Sequence, residues 1–173
     1  AAEAAAAEAK AAREAASKEL AKGATLGDDL AAKVKALEPP LILPLFLDTM
    51  LAAMPEEAAL AGGWSEEDQF GAALVAACAE DPAAQLEVVY AVQRYCNERK
   101  FPKPNGESAI QKVFQELYQN DVVEEDTFLQ WKEIIGDGDK APGKGRALIQ
   151  VTNFMLWLET EDDDDEDDED DED

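Results

Sequence analysis

Residues 110–135 read IQKVFQELYQNDVVEEDTFLQWKEII. Ile110, Val113, Phe114, Leu117 and Tyr118 stand at i, i+3, i+4, i+7 and i+8, which gathers them on one side of an α-helix and has no period-two alternation. Asp121 with Glu124 predicts a capping-box-like start to a second helix, on which Phe128, Trp131 and Ile135 share a face. Two amphipathic helices joined by a short polar turn form a helical hairpin, and the rest of the chain reads in the same units.

Upstream, Asp81-Pro82 supplies a capping residue and a proline in the first turn of a helix. Leu86, Val89, Tyr90, Gln93 and Cys96 mark its buried stripe, and FPKPNGE (residues 101–107) closes it as a loop. Before it, Ser65 precedes Glu66, Glu67 and Asp68, which predicts an N-cap with first-turn acids and a helix through Phe70, Leu74 and Cys78. The span from Pro55 to Gly63 reads as a small-residue loop or frayed turn. Leu47, Met50, Leu51 and Met54 predict a buried helix entered after the prolines, and Leu30, Val34 and Leu37 a short helix that Pro39-Pro40 ends.

The first 22 residues are alanine-rich and dotted with charge, as at Glu14 and Lys18, which predicts a solvated helix acting as a linker or peripheral element. The chain opens without methionine, so a piece of something longer is expected. Downstream, GDGDKAPGKG (136–145) is a loop by composition. A final helix follows, turning Leu148, Val151, Phe154, Met155 and Leu158 inward and leaving Trp157 at the edge of that stripe. The expected fold is all-α: antiparallel helical hairpins stacked as an α-solenoid, without a strict sequence repeat. Three regions are expected: an extension over 1–24, the folded body over 25–160, and an acidic tail over 161–173.

Charge narrows the function. The net charge is −25, from 40 acids and 15 bases, and thirteen of those acids are the uninterrupted run Glu161 to Asp173. Such a block is expected to be disordered when alone. The balance excludes nucleic acid and anionic membrane as direct partners, since both are repelled, and favours a basic protein segment. No apolar run is long enough for a membrane span. Cys78 and Cys96 have no metal-site spacing and read as buried free thiols in a reducing compartment; a cytoplasmic location is expected.

Catalytic signals are lacking. The chain has no histidine, the commonest general base and metal ligand. GDGDK lacks the further ligands of a calcium loop, and PGKG is too short for a P-loop. No enzyme activity, cofactor or specific metal is expected.

Two stretches carry a resemblance. DVVEEDTFLQWKE (121–133), and PGKGRALIQVTNFMLWLET (142–160) running into acids, resemble the two aromatic-acidic boxes of the two-tryptophan domain. That domain lies at the C-terminus of eukaryotic translation initiation factor 4 gamma and its paralogue of the death-associated protein five type, with relatives in initiation factor five and factor two B epsilon. The similarity is strongest from about Tyr118 to Asp165 and extends more thinly back to about Leu26. It implies a HEAT-type docking domain for basic segments: those of the beta subunit of initiation factor two, of initiation factor one, or of a Mnk-type kinase.

Carried onto this chain, the first box is Glu124, Glu125, Asp126, Phe128, Trp131 and Glu133. The second is Phe154, Trp157, Glu159 and Glu161, continuing into Asp162 and Asp163. The unbroken acidic run departs from the family pattern. Other readings of the same residues stay open. Trp131 fits a core ring, Trp157 a ring partly open to a ligand, and Glu124, Glu125 and Asp126 a simple complement to a helix N-terminus. At the level of the whole chain, the alternatives are an end-cap of a larger helical scaffold and an acidic chaperone for basic clients.

Overall fold

The computed structural model describes residues 2–38, 40–134 and 141–160. The alanine-rich opening is α1 (Ala2–Leu20), exposed on all sides through its first half. Its second half is tied to the body by polar contacts. Fully buried Ser17 accepts the Ile42 N–H at 2.9 Å and donates to the Arg13 carbonyl at 2.8 Å, while the Arg13 guanidinium donates to the carbonyls of Pro40 and Leu41.

Next come α2 (Gly27–Ala36) and α3 (Leu43–Ala53), which bury Leu30 and Val34, and Leu47, Met50 and Leu51. In α2 the first turn carries Asp28 and Asp29 and the last Lys33 and Lys35, charges that complement the helix dipole. The expected loop from Pro55 is instead α4 (Glu56–Ala61). Its two first-turn acids and Gly62, left-handed at φ 81°, are start and stop signals outweighed in the sequence by the small residues between them.

Ser65 does not cap a helix. It lies in a 3₁₀ turn (Gly63–Ser65), buried, donating from its hydroxyl to the Gly62 carbonyl at 2.7 Å and accepting from Asn120 Nδ2 at 2.9 Å. A π turn (Glu67–Gly71) then leads into α5 (Ala72–Cys78). The chain continues as α6 (Pro82–Glu98), which Asp81 caps by accepting the Ala83 N–H at 3.0 Å, and α7 (Ala109–Gln119). After these stand α8 (Glu125–Glu133), α9 (Lys144–Gln150) and α10 (152–160).

The capping box expected from Asp121 and Glu124 is not formed. Glu124 precedes α8 without a side-chain cap, and Asp121 sits in a turn at φ 60°. The single last helix of the sequence reading is two helices, broken at Val151. Val151, Phe154, Met155 and Leu158 are buried as expected, and Leu148 is half-buried. Ile135, residues 136–140 and the acidic tail lie outside the described residues.

Packing advances along the chain in steps. Helix α2 lies on α5, α3 on α6 and α4 on α7, and then α6 meets α8 and α7 meets α9. That progression is an all-α solenoid, with no strand among the described residues. One core runs through it and holds the rings of Phe46, Phe70, Phe114, Phe128, Trp131 and Phe154. None of the described helices is long and apolar enough to cross a membrane.

Candidate docking surface

The two aromatic-acidic stretches meet on either side of Phe114. Its ring lies 5.2 Å from both Phe128 and Trp131 and 6.3 Å from Phe154, and Phe128 meets Phe154 edge-on at 5.1 Å. Phe114, Phe128, Trp131 and Phe154 are at most 1% exposed. They hold the surface together from beneath, and a ligand does not reach them.

Trp131 is also held by polar bonds. Its Nε1–H donates to Gln93 Oε1 at 2.8 Å, and Gln93 Nε2 donates in turn to the carbonyls of Ala141 and Pro142 at 3.0 and 2.9 Å. Buried Lys144 donates to the carbonyls of Trp131 and Ile134, at the end of α8, and its ammonium stands 4.7 Å from the Trp131 ring centroid. A cation at a helix C-terminus satisfies carbonyls that the helix leaves without partners.

The start of α8 is fixed the same way. Gln85 Oε1, buried on α6, accepts from the Glu124 N–H at 2.9 Å and from the Thr127 hydroxyl at 2.7 Å. Two glutamines on the stripe of α6 thus clamp both ends of α8. The sequence signal for Gln93 was an amide on an otherwise apolar face, and a buried amide needs partners; Gln85 carried no such flag.

On this base, Glu124 and Asp126 are exposed and Glu125 is half-buried. With Tyr118, Gln119, Asp121 and Val123 they line a depression of about 540 Å³. A second, of about 210 Å³, is lined by Gln115, Tyr118, Gln119 and Trp157. The two share Tyr118 and Gln119, so acids and open aromatic surface are neighbours. Trp157 is 46% exposed, edge-on to Tyr118 at 5.5 Å and stacked on Phe154 at 6.2 Å.

Glu159 is exposed and paired with Lys132 at 2.6 Å, a bridge from α10 to α8 that joins the two boxes. Glu133 is exposed but lines neither depression. Glu161, Asp162 and Asp163 lie outside the described residues. Tyr118 and Asp121 enter the surface beside the box residues; Tyr118 was visible as the last member of the α7 stripe, facing out at its end.

Residues 84–168 match the family model described as W2: eIF4-gamma/eIF5/eIF2-epsilon. Over those residues, just under half of its length, the chain is similar to the W2 family. Eukaryotic translation initiation factor 4 gamma 2 of Homo sapiens and of Mus musculus is 38% identical to the W2 segment over 79 residues, which is 46% of this chain and 8% of each relative. Eukaryotic translation initiation factor 4 gamma 1 of Mus musculus is 35% identical over 83 residues, 48% of this chain and 5% of that relative. The chain therefore spans less than a tenth of the length of these curated relatives. Both boxes fall within the W2 match, whereas α1 to α5 precede it.

Proposed function

We propose that the chain is a protein-docking module of a translation initiation factor, acting in the cytoplasm, that captures basic, lysine-rich segments of its partners. One observation carries this reading: the half-open Trp157 ring and Tyr118 stand beside a trough lined by Asp121, Glu124, Glu125 and Asp126 and by no basic side chain. A lysine fits both halves, its methylene stem lying along the rings and its ammonium reaching the carboxylates. The candidate partners are the ones the family resemblance implies: the beta subunit of initiation factor two, initiation factor one, or a Mnk-type kinase. No catalytic role is proposed. The division into an extension over 1–24, a docking body over 25–160 and an acidic tail over 161–173 belongs to the same proposal.

Each exposed pair contributes about 0 to 1 kcal/mol, so useful affinity needs several pairs and falls with salt. The test is titration with lysine-rich peptides of those partners at about 0.1 M salt, where the Debye length is about 10 Å. Reversing Glu124 and Asp126 to lysine is expected to weaken binding by about tenfold, about 1.4 kcal/mol, while a chain ending at Thr160 keeps measurable affinity. If the reversal has no effect and truncation abolishes binding, the folded surface is not the site and the tail acts as a general shield for basic proteins.

A further inference from the structure

The bases of this acidic chain are not evenly spread. Exposed Lys103 and Lys112 line a depression of about 450 Å³ together with Ile149, Gln150 and Asn153, and Glu107 also lines it. Exposed Arg146 joins them: its guanidinium lies 6.0 Å from the Phe101 ring, and Gln150 Nε2 donates to the Phe101 carbonyl at 3.2 Å. Lys100 adds a further exposed ammonium to the same loop. Among the described residues the ion pairs engage Lys22, Arg94, Arg99 and Lys132, and none of these four patch cations. Ile149, at the same place, is 75% exposed.

We infer that this patch is the seat of the chain's own terminal acidic segment, residues 161–173, when no partner is bound. Attachment and length permit it. The segment leaves α10 at Thr160, seven residues from Asn153, and a helix advances only roughly 10 Å over that interval. Thirteen residues reach about 43 Å when extended and have a coil span of about 20 Å, so the patch lies within easy return.

Charge selects the direction. The docking surface, lined by Asp121, Glu124, Glu125 and Asp126, repels an acidic segment. Lys103, Lys112 and Arg146 attract it, and tethering gives even weak pairs a high effective concentration. This seating does not depend on the docking reading.

Zero-length carbodiimide coupling of the full chain joins a carboxylate to a lysine only where the two touch. It is run on an equal mixture of isotopically light and heavy chains, with the coupled positions located by tandem mass spectrometry. The expected result is coupling of residues 161–173 to Lys103 and Lys112 within one chain, lost at about 0.5 M salt, where screening extends only roughly 4 Å. In the double variant Lys112→Gln, Arg146→Gln, coupling to Lys103 should fall by about threefold, the effect of losing two exposed pairs. Coupling spread evenly over Lys10, Lys18, Lys33, Lys35 and the patch, coupling between chains only, or no coupling from the segment overturns the proposal.

Discussion

At the scale of the residue, Gln93 carries more than its position in a stripe suggests. It is fully buried and serves one indole N–H and two carbonyls. Gln93→Leu keeps the volume and leaves the buried Trp131 indole N–H without its acceptor; an orphaned buried group costs about 1 to 3 kcal/mol. We expect a loss of about 3 kcal/mol in urea unfolding, with Trp131 fluorescence moving with the main transition. A loss under about 1 kcal/mol would mean that other groups or water take over the bonds.

The thiols give a second test at this scale. Burial pushes Cys78 up to about 12, with the Asp81 charge adding to it, and burial likewise pushes Cys96 up to about 12 against the pull of Arg99. Both are therefore neutral in the folded chain at pH 8 and should resist a thiol-reactive dye until denaturant is added. Because the folded values lie above the ordinary value of 9.0, the folded state holds these protons more tightly than the unfolded state. Their contribution is whole below about pH 9 and is lost as pH rises toward about 12. Stability measured by denaturant should decline across that window, and less steeply in a Cys78→Ala, Cys96→Ala chain.

At the scale of the element, two glycines in helical segments have opposite expectations. A Cβ on Gly71 would lie 2.1 Å from the Ser65 carbonyl oxygen and 2.7 Å from that of Glu66, both backbone atoms that cannot step aside. On Gly145, within α9, it would meet nothing within 4 Å. Gly145→Ala should thus raise stability by about 0.5 to 1 kcal/mol through helix propensity, whereas Gly71→Ala should cost more than about 2 kcal/mol as the π turn is forced apart. Thermal melts of the two variants decide both. Equal effects would remove the π turn as the cause.

The same contrast governs what could be read in advance. The stripe of α7, the Asp81-Pro82 start of α6 and the inward face of α10 follow from periodicity and local chemistry, which a sequence displays directly. Three of the misread points, unlike α4, are those where a local signal was taken over by a distant partner. Ser65 resembles a cap, but Asn120 uses its hydroxyl, 55 positions away. Glu124 resembles part of a capping box, but its N–H is met by Gln85, 39 positions away. The break at Val151 is likewise tertiary: Gln111 Oε1 accepts the Phe154 N–H near the start of α10 at 3.2 Å, and Ser108 donates to Gln150 Oε1 at 2.8 Å. The box acids were legible as a surface by composition, and periodicity already offered Trp131 as a core ring and Trp157 as an edge ring; that Gln93 and Lys144 hold Trp131 in place required the fold.

At the scale of the molecule, the proposed docking function divides the work of capture between the tail and the folded surface. Thirteen acids at one end of the chain act through their field before contact, and a field of this kind changes chiefly how fast a basic segment arrives. In that proposal Trp157 and the trough act only at contact, so they govern how slowly the segment leaves. Stopped-flow measurement at about 0.05 M salt, where screening is weak, should therefore separate them. Ending the chain at Thr160 is expected to slow association by about tenfold and to change dissociation less. Trp157→Ala is expected to speed dissociation by about fivefold, about 1 kcal/mol, and to leave association nearly unchanged. Raising salt to about 0.3 M should bring the association rates of the full and shortened chains together, since the field that distinguished them is then screened within a few ångströms. If truncation instead acts mainly on dissociation, the tail is part of the bound interface, and the contact surface must be redrawn to include it.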